Sequence, residues 1–330
     1  MNLALRTLLT GVIDYAGLFP PARLPLDGAV GNFADYRRHP DAWMLRHFVI
    51  SAEQLSELTE HVDKLSKGAN RWTLSVVGGR CRTRDEWNAV LENDLRKISE
   101  FAERNRSLAT VATLELPLPE QLSAVEVSQQ TVDEVLDILA DATEQHALCP
   151  ETVFLELPAG AAARESRRVL ARGIGQRDAK SIRFGLKLRM GGLEPAAIPS
   201  IEQTAETIHV CQQDSVIWKA TAGLHHPLPR HSAETGATMH GFLNLLVAVT
   251  LAESSQLLRA TLEQILAEKS GDNFVLTEDG LSWRDHHATT EEIEAARERF
   301  VSFGSCSFDE PRADLRELGY DLNDCHSTAS

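Results

Sequence analysis

No two cysteines in this chain have the spacing of a metal knuckle or a redox pair. The five present, Cys81, Cys149, Cys211, Cys306 and Cys325, are scattered and odd in number. That argues against a disulfide framework and fits free thiols in a reducing compartment, so a cytoplasmic protein is expected. Long apolar runs are also missing. The longest, Phe242 to Ala252, contains Asn244 and is far too short to span a bilayer. The opening MNLALRTLLTGVIDYAG carries Arg6 and Asp14 and no small-residue cleavage site, so it reads as the approach to a first strand. Positive charge is in deficit: 33 Lys and Arg against 48 Asp and Glu leave a formal net charge of −15. Such a surface repels phosphate backbones and anionic lipid, so neither nucleic acid nor membrane is expected as a partner. No glycine-rich phosphate loop follows the first candidate strand, which disfavours the nucleotide-binding doubly wound sheets.

What is present is an alternation. Short apolar runs mark candidate strands at residues 11–15, 44–50, 72–77, 108–116, 152–157, 183–189 and 216–221. Between them lie helical patterns, such as SAEQLSELTEHVDKL with Leu55, Leu58, Val62 and Leu65 on one face. RTRDEWNAVLENDLRKISEF is a second, and SIEQTAETIHVC, opened by Ser200 and Gln203, is a third. Strand and helix repeating every 30–40 residues or so imply stacked βαβ units and a parallel sheet. An eighth strand about Met239–Phe242 would close a (β/α)8 TIM barrel, of class α/β. The expected organisation is a barrel over residues 1–255. Residues 256–330 then form a helix-hairpin-helix extension packed on it, with the hairpin at Phe274–Trp283 turning at Glu278-Asp279-Gly280.

Barrel chemistry sits at the C-terminal strand ends, and side-chain alternation decides which residues reach the interior. In RFGLKLRM, Lys187 and Arg189 share a face with Gly185, opposite Phe184, Leu186 and Leu188. In SVIWKATAG, Lys219 and Thr221 lie opposite Val216, Trp218 and Ala220. ATLELP and VFLELP place Glu115 and Glu156 on the inner parity, and Asp14 ends the first strand. The mouth would thus hold three carboxylates and three cations, a setting suited to a small polar substrate. An ion-pair network serving packing alone is the competing explanation. If the register holds, Lys187 and Lys219 lie on adjacent strands. Two close cations and desolvation would lower a lysine pKa, giving a neutral amine able to add to a carbonyl.

The strand end Lys219-Ala220-Thr221-Ala222-Gly223 is similar to the Lys-x-Thr-x-Gly strand end of the deoxyribose-phosphate aldolase family of class I aldolases. GLKLRMGGLEP resembles that family's preceding unit. The similarity covers about forty residues, and it implies a barrel in which Lys219 forms a Schiff base. The family's later strand with a second lysine has no counterpart after Gly223, and His225-His226-Pro227 is foreign to it. IDYAGLFPPA, KLRMGG, KATAGLHHP, HGFLN and FGSCSFDEP also resemble an uncharacterised bacterial family of hypothetical proteins, which implies no activity.

Histidines cluster beyond Lys219, at His225, His226, His231 and His240. They are candidates for acid–base work or for loop structure. With Glu115 and Glu156, His225 could hold a divalent metal, although HExxH and His-x-His signatures are absent. Asn244, one turn after His240, could orient a substrate oxygen or cap a helix. Cys306, in GSCSFDEP, has no histidine beside it in sequence and reads as a buried thiol in a turn-rich loop. Asp309-Glu310-Pro311 reads as a helix start, or as a cover for the mouth.

These residues suggest a lyase of aldolase type acting on a small anionic carbonyl compound, with no cofactor needed. Lys219 would form the Schiff base and Lys187 would depress its pKa. Arg189 would hold an anionic group, and His225, His226 or Glu156 would move protons. Asp14, Glu115, Thr221, His240 and Asn244 would contact substrate. Two alternatives remain: a metal-assisted isomerase, hydratase or hydrolase with a lysine base, and a non-catalytic small-anion binding protein. Barrels of this kind commonly form homodimers, so a homo-oligomer is expected.

Overall fold

The computed structural model describes residues 2–61, 64, 71–123, 127–157, 163–177, 182–192, 194–233, 235–255 and 257–323. Seven parallel strands follow one another around a barrel: β1 (Ile13–Tyr15), β2 (Leu45–Ser51), β3 (Trp72–Val77), β4 (Ala109–Pro117), β5 (Thr152–Glu156), β6 (Phe184–Arg189) and β7 (Ile217–Thr221). Their outward residues explain the layer of helices around them. Leu114, Leu116, Val153, Leu155, Leu186, Leu188, Trp218 and Ala220 are buried between strand and helix. Burying one such leucine contributes about 1.5–3 kcal/mol, and the alternation leaves the inner positions free for polar side chains.

The long helix Arg84–Arg104 turns Trp87, Leu91, Leu95, Ile98 and Phe101 toward this layer and starts at a capping box between Thr83 and Glu86. The helix Ile201–Gln213 starts the same way, with Ser200 and Gln203, as their spacing implied. Leu55 and Leu58 are buried on a short helix, Leu55–Leu58, while Val62 and Leu65 lie outside the described residues.

The eighth strand differs from expectation. Residues Ala237–Met239 (β9) pair antiparallel with Arg230–Ser232 (β8) as a small hairpin in the loop after β7. The chain then runs through the helices Phe242–Ser255 and Arg259–Leu266. A three-stranded antiparallel sheet follows, β10 (Phe274–Leu276), β11 (Gly280–Trp283) and β12 (His286–Thr289), and after it the helix Thr290–Arg299. Only then does β13 (Phe300–Ser305) enter between β7 and β1 and close the barrel. The barrel therefore does not end at residue 255, because the segment assigned to an extension supplies the closing strand. The sequence FVSFGS hides it: three of its six positions, Ser302, Gly304 and Ser305, are glycine or serine and break up the apolar run. Ser302 instead turns inward to Asp14, and Phe303 stacks on Phe242 with ring centroids 5.0 Å apart. The helix Asp309–Glu317 follows β13 and packs over the loop after β7.

One glycine is required by the interior. A Cβ on Gly185 would stand 2.7 Å from the Phe154 ring and 2.8 Å from the Ile217 carbonyl. Phe154 therefore fills the barrel beside Lys219, whose ammonium lies 5.5 Å from the ring centroid.

Candidate active site

The parallel register sets the site. Glu156 pairs with Lys187 between β5 and β6, and Lys187 with Lys219 between β6 and β7. Asp14 stands at the level of Gly304 on β13. All five inner side chains, Asp14, Glu115, Glu156, Lys187 and Lys219, are buried, and they form one alternating chain of charge. Lys219 Nζ donates to Asp14 Oδ2 at 2.5 Å and to Glu115 Oε1 at 2.7 Å. Lys187 Nζ lies 2.7 Å from Glu115 Oε2 and 2.8 Å from Glu156 Oε2. Arg80, in the loop after β3, pairs with Glu156 Oε1, and Arg189 stands 3.9 Å from the same oxygen.

Neutral donors complete the chain. Ser75 donates to Glu115 Oε1 at 2.6 Å and receives the Thr113 hydroxyl at 2.7 Å. Ser302 donates to Asp14 Oδ2 at 2.6 Å. The His47 backbone N–H donates to Asp14 Oδ1 at 3.2 Å, and its ring Nδ1 lies 3.3 Å from the same atom. Burying this many charges is tolerable only because each carboxylate has at least two ion-pair or hydrogen-bond partners.

The pairing fixes protonation. Burial by itself opposes charge on every carboxylate, but the ammonium groups prevail. Lys187 and Lys219 hold Glu115 down at about 2. Asp14 is held well below the usual carboxylate range by Lys219 and His47, and Glu156 is lowered by Lys187 and Arg80. Burial likewise opposes the Lys187 charge, yet Glu115 and Glu156 raise its pKa above the ordinary value. Lys187 is therefore held as an ammonium; the neutral amine expected from two close cations was Lys219, with Lys187 as its charged neighbour. A carboxylate separates the two ammonium groups, and its attraction exceeds their mutual repulsion.

The network opens to solvent on one side. A cavity of about 570 Å³ reaches from the mouth across β6 toward the helix Ile201–Gln213 and is lined by Arg80, Glu156, Lys187, Arg189 and Arg167. Arg167, on the helix Ala163–Gln176, leaves its buried Nη1 without a hydrogen-bond partner among the described residues. A larger cavity, about 720 Å³, lies at the opposite end of the barrel beside Arg183, Ser215 and the Glu253–Arg299 pair. None of the inner charges reaches it.

Other expected site residues are distributed elsewhere. Thr221 is in register with Arg189 at the mouth. His225 and His226 turn toward the helix Asp309–Glu317, where Glu310 lies 3.3 Å from His225 and Asp314 lies 2.5 Å from His226. His240 Nε2 bonds the Pro199 carbonyl at 2.7 Å, and burial lowers its pKa. Asn244 donates to the Ile265 and Glu268 carbonyls, both at 2.8 Å, so its amide nitrogen ties down the end of the helix Arg259–Leu266, while its buried Oδ1 has no hydrogen-bond partner among the described residues. The metal set Glu115, Glu156 and His225 is not assembled. Lysines occupy both glutamates, and no group of three His, Cys, Asp or Glu side chains converges among the described residues.

Arg80 and His47 were missed from sequence. The one signal for Arg80 is its place as the first cation after a strand, in VVGGR; His47 sits on the inner parity of β2. Cys306 is half-buried, not fully buried, and its partner is His225, far away in sequence. Cys325 lies outside the described residues. Among the described residues no helix is long and apolar enough to cross a membrane. No family model, curated protein or solved structure matches this chain.

Proposed function

We propose that this barrel is a lyase of aldolase type, acting on a small anionic carbonyl compound through a lysine amine. The observation that carries this reading is Lys187, clasped between Glu115 and Glu156 at 2.7 and 2.8 Å beside a cavity rimmed by arginines. Lys187 borders that cavity, whereas Lys219 is 1% exposed and lies behind it. The adding amine is therefore assigned to Lys187, in place of Lys219, to which the local aldolase resemblance gives that role.

Arg80, Arg189 and Arg167 would receive the substrate's carboxylate or phosphate, whose paired oxygens suit planar guanidinium forks. That exchange has a consequence for the amine. When Arg80 turns from Glu156 to the substrate, Glu156 loses a cation, its proton affinity rises, and it can take a proton from Lys187. The neutral amine then adds to the carbonyl carbon. A carbon–nitrogen bond forms, and the carbonyl oxygen leaves as water with two of the three ammonium protons. The iminium accepts the electron pair of the adjacent carbon–carbon bond, while a β-hydroxyl proton passes to a glutamate and an aldehyde departs. The remaining enamine is protonated on carbon and hydrolysed, which restores Lys187. Lys219 would hold Glu115 ionised throughout.

Borohydride trapping with a panel of small aldehydes and keto acids, followed by peptide mapping, tests this. A reduced adduct on Lys187, lost in Lys187→Arg, is expected. An adduct on Lys219 would reverse the two roles. No adduct under conditions that label a control aldolase would overturn the covalent route. The raised pKa of Lys187 favours a second reading, in which the ammonium stays charged and stabilises an enolate while a glutamate removes the α-proton. Solvent deuterium entering a keto acid without any trapped adduct is its signature.

A further inference from the structure

A second chemical group stands at the same end of the barrel, outside the lysine network. β13 ends at Ser305, and the next residue, Cys306, is half-buried. Its Sγ lies 3.8 Å from His225 Nδ1 and 4.0 Å from Nε2, so the ring edge faces the sulfur. Glu310 Oε2 lies 3.3 Å from His225 Nδ1, and the Ser305 hydroxyl lies 3.4 Å from the same nitrogen. Glu310 is set in place by the start of the helix Asp309–Glu317, where its backbone N–H donates to the Ser307 hydroxyl at 3.1 Å. Thiol and carboxylate, four residues apart in the turn after β13, thus both meet the His225 ring, which comes from the loop after β7. Tyr15, at the end of β1, has its pKa raised by burial first, and charge on Cys306 and on Asp309 would raise it further.

We propose that Cys306, His225 and Glu310 form a nucleophilic thiol site that takes an electrophilic carbonyl carbon, such as that of a small aldehyde. Proton transfer from sulfur to imidazole leaves a thiolate–imidazolium pair, and Glu310 orients and stabilises the imidazolium. The thiolate adds to the carbonyl carbon: a sulfur–carbon bond forms and the carbonyl π pair moves to oxygen. The imidazolium proton then passes to that oxygen, giving a hemithioacetal with no oxidant or other co-reactant. Burial opposes the charge on His225, but its bonds to Cys306 and Glu310 hold it up at about 9. This site does not depend on the amine chemistry proposed for Lys187.

The chain carries its own control. Cys149 is an exposed free thiol, whereas Cys81 and Cys211 are buried, and burial raises both of their pKa values. The test is iodoacetamide alkylation of the native full chain across pH 5 to 9, with peptide mapping to separate Cys306 from Cys149. With the His225 ring placed to take its proton, Cys306 should react about tenfold faster than Cys149 at pH 6. His225→Asn should remove that advantage. Equal pH profiles for the two cysteines in the unaltered chain would overturn the thiolate assignment, and that comparison needs no variant. Millimolar glycolaldehyde should slow alkylation of Cys306 and not of Cys149, and should still do so in Lys187→Met. Equal or absent slowing would overturn the carbonyl assignment.

Discussion

The two sides of the barrel mouth are built on different principles. From β4 to β7 the charges are borne by strands, and Glu115, Glu156, Lys187 and Lys219 are all buried. Beside β13 the functional groups come from a loop and a helix. His225 and Cys306 are half-buried there, and the Glu310 side chain is 52% exposed. A strand fixes a side chain to one level of the barrel, so a charge there loses its water and must find partners within the network. A loop lets solvent share the task, so its pairs can be altered with little effect on the fold. The strand-borne side should therefore couple stability and chemistry tightly, while the loop-borne side should keep them apart.

The largest expected effect comes from the shared member of the strand network. Glu115 accepts from both Lys187 and Lys219, and Glu115→Gln leaves two buried ammonium groups facing an uncharged amide. Breaking a buried pair by neutralising one partner costs about 3–5 kcal/mol. A urea titration should show the midpoint fall by a matching amount at constant slope. An unchanged midpoint would mean that water reaches this network and that the side is not dry.

The pH dependence of stability separates the two sides by sign. Glu115 has a folded pKa of about 2 against an ordinary 4.5, and the Asp14 and Glu156 values are also lowered. The unfolded chain thus binds more protons between those values, so this stabilisation is complete above 4.5 and is lost as pH falls toward 2. His225 behaves oppositely. Its pKa is raised from 6.5 to about 9, so its contribution is complete below 6.5 and is lost as pH rises through 9. Urea midpoints measured from pH 2 to 10 should show an acid limb and a shallower alkaline limb, and His225→Asn should remove only the latter. An alkaline limb that persists in that variant would assign it to another group.

What could be read from the sequence follows the same division. The inner parity of ATLELP, VFLELP, RFGLKLRM and SVIWKATAG puts Glu115, Glu156, Lys187 and Lys219 inside the barrel, because strand alternation is a local rule. The pairing of those charges into an alternating chain is set by register, which is not local, so the carboxylate that stands between Lys187 and Lys219 was not foreseen. The closing strand was hidden because β13 mixes phenylalanine with glycine and serine, while an apolar helix near Met239 drew attention to the wrong place. The Cys306–His225 contact joins the loops after β13 and β7, and no sequence pattern measures that distance. Asn244 could be read as a substrate contact or as a helix cap, because a buried amide beside a histidine cluster has the same appearance in sequence whether it faces a ligand or helix carbonyls.

The smallest expected effect tests the comparison most directly. Glu310 lies 3.3 Å from His225 with its side chain 52% exposed, so this pair falls in the class worth about 0–1 kcal/mol. Glu310→Gln should leave the urea midpoint at pH 7 almost unmoved. The alkaline limb, however, should shift to lower pH, because His225 loses one of the two partners that raise its pKa. The two readouts are distinct: the midpoint reports what the pair contributes to the fold, and the limb reports what it does to the imidazole. A midpoint loss as large as that of Glu115→Gln would show that the loop-borne side is as dry and as tightly coupled as the strand-borne one, and the distinction between them would fall.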